Sequence, residues 1–152
     1  MVNVAPQGAV STGVSVMSKR VLIVDDSFIM RAIIKEIVQS DPGFEVVGEA
    51  ENGKVGLQKA RELKPDLILL DLEMPEMGGI DMLKRVALLS KAKVIIVSSL
   101  GQLGSAPALE ARRLGAVDVI AKPSGAMSLD LKDKSGHEIL QSARRVLGLG
   151  SG

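Results

Sequence analysis

Cysteine, tryptophan and tyrosine are absent from this chain of 152 residues, and its only aromatics are Phe28 and Phe44. Without cysteine there is no disulfide and no thiolate metal site, a usage that fits a reducing cytoplasm. Histidine occurs once, at His137, which excludes a histidine metal cluster and a conventional Ser-His pair. The expectation for His137 is a solvated helix position. Neither sign of charge is in excess. The formal net charge is +1, and no basic cluster is interleaved with aromatics, so neither nucleic acid nor an acidic membrane has an electrostatic footprint here. Long apolar runs are missing as well: nothing approaches the roughly 20 residues of a membrane span. Residues Met1 to Ser18 have neither the positive start nor the apolar stretch of a signal peptide and are expected to be a flexible leader.

What remains is the composition of one soluble globular domain, 46% hydrophobic and 24% charged. Its most informative features are short apolar runs that end in charge. Val21-Leu22-Ile23-Val24 ends in Asp25-Asp26-Ser27, Leu67-Ile68-Leu69-Leu70 ends in Asp71, and Val117-Asp118-Val119-Ile120-Ala121 ends in Lys122-Pro123. Nearly continuous apolar runs mark strands buried on both faces of a parallel sheet. Ligands in such open sheets gather at the carboxyl ends of the strands. Three strands delivering Asp-Asp, Asp and Lys to one rim build an acidic pocket with a single cation, suited to a divalent metal and a phosphoryl group.

Strand and helix patterns alternate along the chain. Met30, Ile33, Ile34, Ile37 and Val38 repeat at helical spacing after the first strand, with Asp26 or Ser27 as cap. Phe44 to Gly48 is expected as a strand with Glu49 at its exit, and Glu51-Asn52-Gly53 turns the chain into a helix running to about Leu63. Strand three is Leu67 to Leu70, and a loop from Met74 to Gly79 leads into a helix carrying Ile80, Leu83 and Val86 or Ala87. Strand four is Val94 to Val97, then a small-residue loop to Ser105. A helix from Ala106 to about Leu114 follows, with Gly115 as its left-handed cap. After strand five comes a long loop, Ser124 to Gly136, and a last helix from about His137 to Leu147. This alternation predicts an α/β fold with right-handed parallel crossovers. The expected domain spans residues 19–147, with 148–152 as the start of a linker.

Taken together, Asp25-Asp26-Ser27, Asp71 followed by Met74-Pro75, Ser98 after strand four and Lys122-Pro123 resemble a response-regulator receiver domain, over about Lys19 to Leu147. Within that family, Asp26 to Arg31, Asp71 to Pro75, Val97 to Leu100 and Lys122 to Gly125 with Ser128 to Leu131 look most like the N-terminal receiver of the chemotaxis methylesterase. The resemblance implies a doubly wound (βα)5 flavodoxin-like fold with strand order 2-1-3-4-5. It implies that Asp71 is the phosphoacceptor in two-component signalling, with a sensor histidine kinase as phosphodonor. Mg²⁺ would be held by Asp25, Asp26, Asp71 and the backbone carbonyl of Glu73. Lys122 would pair with a phosphoryl oxygen and the Ser98 hydroxyl would move toward it. The backbone groups of Leu72 and Ser99 would contribute hydrogen bonds. The output is a partner protein or a linked output domain, reached by repacking around helix four, strand five and helix five.

Two positions depart from the family pattern. Val119 stands where an aromatic switch residue is common, and Gly78 stands where the loop after the acceptor commonly has an acid. Glu73 adds a carboxylate beside the site, and with Leu100 it is expected to help set the rate at which water removes the phosphoryl group. Other readings are a standalone regulator against the regulatory piece of a methylesterase, a receiver scaffold working without phosphorylation, a haloacid-dehalogenase-type phosphatase, and a nucleotide or flavin binder. In the phosphatase reading, Asp71-Leu72-Glu73 is only faintly like the acidic pair, which also needs a following Thr and a cap; this chain has Asp25-Asp26 on strand one instead. In a nucleotide binder, Asp25-Asp26 would repel phosphate, and Gly101 to Ser105 is no Walker loop because it has no lysine. The chain by itself is expected to be a regulatory domain with no esterase machinery.

Overall fold

Residues of β1 (Lys19–Val24) point alternately to two separate cores, and that alternation organises the molecule. The structure is a computed structural model describing residues 18–74, 76–123 and 129–150, with backbone only at Leu100 and 129–135. Leu22 and Val24 pack on one side of the sheet with Ile68, Leu70, Val94 and Ile96. Val21 and Ile23 pack on the other with Leu67, Leu69, Ile95, Val97 and Ile120. Both faces are covered, so the apolar runs of the inner strands have no polar side to show. All four residues of β3 (Leu67–Leu70) are buried, each worth about 1.5–3 kcal/mol of apolar burial.

The remaining elements follow in alternation: α1 (Phe28–Gln39), β2 (Phe44–Ala50), α2 (Gly53–Leu63), then β3, α3 (Gly79–Leu89), β4 (Lys93–Ser98), a 3₁₀ turn (Leu100–Gln102), α4 (Ala106–Arg113), β5 (Asp118–Ala121) and α5 (Leu129–Val146). The five strands are parallel in the order β2-β1-β3-β4-β5, as the receiver resemblance implies. β3 is central, and the chain reverses its direction of winding between β1 and β3. That switch point opens a crevice beyond their carboxyl ends.

Helix starts are marked by small polar caps. The side chains of Ser27, Asn52 and Ser105 accept from the N–H groups of Met30, Val55 and Ala108, offsetting backbone donors left without helical partners. Gly78 precedes α3 without any such bond. After α4 the Gly115 N–H reaches the Arg112 carbonyl and the Ala116 N–H the Ala111 carbonyl. With Gly115 at φ 115°, this is a Schellman closure, the expected glycine stop.

One boundary differs clearly. The last helix begins at Leu129, eight residues before the position expected from the sequence, and Gly136 lies inside it. The reason is packing: a Cβ added at Gly136 would stand 3.3 Å from both Cδ1 and Cγ1 of Ile37, so glycine here permits close approach of α5 to α1. The sequence pattern places Gly136 at the end of the loop before this helix. Residues 124–128, part of the expected loop, lie outside the described residues, as do Pro75 and residues 1–17 of the expected leader. At the other end of α5, Leu149 packs against the α1–α5 core and its N–H bonds the Arg144 carbonyl. Arg144 in turn bonds both oxygens of Asp41, at 2.8 and 2.6 Å. Among the described residues, no helix is long and apolar enough to cross a membrane.

Candidate functional site

The carboxyl ends of four adjacent strands bring Asp25, Asp26, Asp71, Ser98 and Lys122 to one rim. β1 ends at Val24, whose carbonyl accepts from the Asp71 N–H at 2.9 Å; the same hydrogen bond that finishes the β1–β3 pairing sets Asp71 beside Asp25. β4 ends at Ser98, whose carbonyl accepts from the Lys122 N–H at 2.8 Å. One carboxylate oxygen each from Asp25, Asp26 and Asp71 fall within 4.8 Å of one another. Lys122 Nζ is 3.1 Å from Asp25 Oδ2 and 3.2 Å from Asp71 Oδ2. The contact to Asp25 is an ion pair without hydrogen-bond alignment. Asp25, Asp71 and Ser98 are 1%, 3% and 1% exposed, whereas Asp26 faces solvent. The crevice thus opens to solvent beside Asp26.

Electrostatics in this pocket are unbalanced. Burial, followed by the charge of Asp25, pushes the Asp71 carboxyl up to about 6, against the opposing pull of Lys122 and the Glu73 N–H. Burial also works against the charge of Lys122, but the two carboxylates outweigh it and hold its ammonium above the ordinary lysine value. Three carboxylates with one ammonium leave net negative charge in a poorly hydrated place, and like charges at such range repel by about 4 kcal/mol per pair at intermediate dielectric. The Ser98 hydroxyl is buried and takes no hydrogen-bond partner among the described residues. Leaving a buried hydroxyl unpaired costs about 1–3 kcal/mol.

The other expected positions surround this centre. Glu73 is exposed beside the site, its N–H directed at Asp71 Oδ1 over 3.4 Å and its carboxylate accepting from Gln102 Nε2 at 3.0 Å. Leu72 is buried in the core on the α3 side, and its carbonyl takes the Gly79 N–H. Ser99 is exposed, with its carbonyl holding the Gln102 N–H. A Cβ at Gly79 would stand 2.4 Å from the Asp71 carbonyl oxygen, so the loop after Asp71 is pressed against its own strand end. Val119 is half-buried at the edge of the core facing α4. Beside it lies a groove of about 400 Å³ lined by Leu103, Asp118, Gln141 and Arg145 among others. His137 is exposed on α5.

The sequence pattern does not announce every neighbour of the site. Arg31 lies in the Asp26 to Arg31 segment, and its guanidinium donates to the Asp25 carbonyl at 2.7 Å. Gln102 lies in the small-residue loop before α4 and donates to Glu73. Ser142 is buried and donates to Asp118 at 2.6 Å. Only Arg31 left a trace in the sequence: a cation one helical turn beyond two adjacent acids.

An acidic crevice at the switch point of a (βα)5 sheet, with a lysine and a hydroxyl at its rim, defines the receiver class of signalling domain. Residues 21–141 match the response regulator receiver domain family, and the chain belongs to it; it is a receiver domain of two-component signal transduction. The chain is 47% identical over 131 residues to protein-glutamate methylesterase/protein-glutamine glutaminase 2 of Carboxydothermus hydrogenoformans, covering 86% of this chain and 37% of that protein. It therefore spans well under half the length of this relative. Among solved structures, the response regulator domain of Thermotoga maritima CheB matches with 43% identity and a TM-score of 0.78, over 88% of this chain and 99% of that one. A chain from the complex of the CheA3 P1 domain with CheY6 of R. sphaeroides matches with 40% identity and a TM-score of 0.71, over 86% and 97%.

Proposed function

We propose that Asp71 is the phosphoacceptor of this receiver and that Mg²⁺ is its cofactor. The observation that carries the reading is the position of Asp71: buried at a strand end, 3.2 Å from Lys122, and within 4.8 Å of Asp25 and Asp26. The donor set fits the ion, since Mg²⁺ prefers hard oxygen ligands and retained waters. Asp25, Asp26 and Asp71, with the Glu73 carbonyl, are the residues that would hold it. When bound, the metal would neutralise charge on the incoming phosphoryl oxygens.

The chain's own groups do the rest. An Asp71 oxygen attacks phosphorus, the bond from phosphorus to the donor nitrogen of a phosphohistidine breaks, and its electron pair returns to the imidazole. The product is an acyl phosphate on Asp71. Lys122, a flexible point charge, follows a phosphoryl oxygen. Ser98, buried with an unpaired hydroxyl, turns to donate to another, and the backbone N–H groups of Leu72 and Ser99 add donors. Displacement of Ser98 then alters the packing against α4, β5 and α5, where the groove beside Val119 replaces the bulk of the family's usual aromatic. The donor is a sensor histidine kinase in the cytoplasm. Phe28 and Ile29, exposed at the start of α1 beside the rim, suit an apolar contact with it.

A second reading concerns the parent molecule. The 47% identity to a methylesterase of which this chain spans 37% favours a regulatory piece controlling a linked catalytic domain; a standalone regulator acting on a separate partner is the alternative. The acceptor assignment is tested by incubating the chain with acetyl phosphate and Mg²⁺. Intact mass should rise by one phosphoryl group in the wild type and stay unchanged in Asp71→Asn or when EDTA replaces the metal. Equal labelling of Asp71→Asn refutes the assignment.

A further inference from the structure

We infer that Arg31 is a positioning residue for the metal-binding turn, acting on Asp26 through the Asp25–Asp26 peptide and itself aimed by Glu49. This rests on the Mg²⁺ reading of the acidic crevice. The two carboxylates of the turn are held very differently. Asp25 is fixed at three points: its N–H bonds the Ala50 carbonyl at 3.0 Å, its Oδ1 accepts from the Ser27 N–H at 2.8 Å, and its Oδ2 faces Lys122. Asp26 is exposed, and no hydrogen bond to its carboxylate is present among the described residues. Its place beside the other two carboxylates is therefore set by its backbone. The peptide that joins the two residues carries the Asp25 carbonyl, and the bond from Arg31 at 2.7 Å prevents that peptide from rotating.

Arg31 is well suited to this task because three contacts leave its guanidinium one orientation. Its Nε is 3.3 Å from Glu49 Oε1, at the exit of β2. The Phe28 ring lies 5.8 Å from its central carbon, within the range of a cation–π contact. Its side chain is only 14% exposed. A planar fork can bond a carbonyl and a carboxylate at once, whereas a lysine offers a single point charge. Glu49 is held in turn by Lys35 at 3.3 Å. The chain Glu49–Arg31–Asp25 carbonyl thus runs from the edge strand β2 to the centre of the crevice. Groups that orient ligands in this way change metal affinity by about 10–100-fold when removed.

The test is calorimetric titration of Mg²⁺ into the full chain, comparing wild type with Arg31→Gln, Arg31→Lys and Glu49→Gln, alongside melting temperatures in EDTA. The expected result is a dissociation constant about ten-fold weaker for Arg31→Gln and a smaller loss for Arg31→Lys. Glu49→Gln, which keeps Arg31 but loosens it, should weaken binding by about three-fold. A merely structural role would lower the melting temperature in EDTA and leave the dissociation constant within about two-fold of wild type, and that result overturns the inference. If Arg31→Gln does not fold, Glu49→Gln decides by the same criterion. Wild type that fails to bind Mg²⁺ overturns the metal reading and this inference with it; wild type that binds while the variants match it overturns the inference alone.

Discussion

Lys122 reaches Asp71 from the far side of the sheet: its Nζ lies 3.2 Å from Asp71 Oδ2 while its own N–H bonds the Ser98 carbonyl at 2.8 Å. One residue at the end of β5 therefore touches both the acceptor carboxylate and the strand that carries the hydroxyl. Its ammonium opposes the burial and the Asp25 charge that raise the Asp71 carboxyl to about 6. Replacing Lys122→Met should raise that carboxyl further. Carbon-detected NMR titration of Asp71 in EDTA reads the change, and a midpoint at or below the wild-type value would contradict this account.

The same shift makes metal-free stability depend on pH. A carboxyl that titrates higher in the folded state than in the unfolded chain favours folding while protonated, so stability is lost as pH rises. The window lies between the ordinary 3.8 and about 6, and the loss amounts to about 3 kcal/mol at most. Asp71→Asn removes the charge while keeping the shape. Urea unfolding in EDTA should show Asp71→Asn more stable than wild type at pH 7.5, with the gain disappearing below pH 4. Added Mg²⁺ should narrow the gap by stabilising wild type more than the variant, which has lost one of the ligands.

Two neighbouring glycines before α3 should respond in opposite ways. Gly79 admits no side chain, because a Cβ would lie 2.4 Å from the Asp71 carbonyl and 2.7 Å from Leu72 Cα. Gly79→Ala should destabilise the fold by about 2 kcal/mol or more, the range of overpacking against backbone. Gly78 has φ −73° and its nearest neighbour to an added Cβ is 3.6 Å away. An acid there can cap α3, so Gly78→Asp should be neutral to stabilising by about 0.5 kcal/mol. Denaturant midpoints measured side by side check both.

Glu73 and Gln102 form a strap between the loops after β3 and β4, 3.0 Å long at its hydrogen bond. A Glu73 carboxylate released from Gln102 becomes a proton acceptor for water attacking the phosphoryl group. Gln102→Ala should speed phosphoryl loss by about three-fold or more, Glu73→Gln should slow it, and the double variant should follow Glu73→Gln. First-order decay of the labelled chain after removal of acetyl phosphate gives the rates. Identical decay in all four proteins would remove Glu73 from the process.

The strands, their order of charge-bearing ends and most helix limits could be read from residues alone, because a strand buried on both faces must be apolar along its whole length. The runs Val21–Val24 and Leu67–Leu70 carry that requirement openly, and Ser27 and Asn52 announce helix starts by chemistry local to a single turn. Gly136 shows where local reading fails. Its meaning lies in Ile37, far away in the chain, and not in its intrinsic helix preference.

Sequence by itself determined which chemical groups exist and at which strand ends they sit: three carboxylates, a hydroxyl and an ammonium, with no cysteine and no histidine at those strand ends to compete as ligands. Only tertiary structure decided how those groups meet, because strand order places β1 between β2 and β3 and so sets Asp25 against Asp71 and Lys122. It also decided the raised Asp71 carboxyl and the unpaired Ser98 hydroxyl. Each of these depends on distances of a few ångströms between residues far apart in the chain, and on water excluded by the packed sheet. Such terms are properties of the assembled crevice and leave no mark in any one segment.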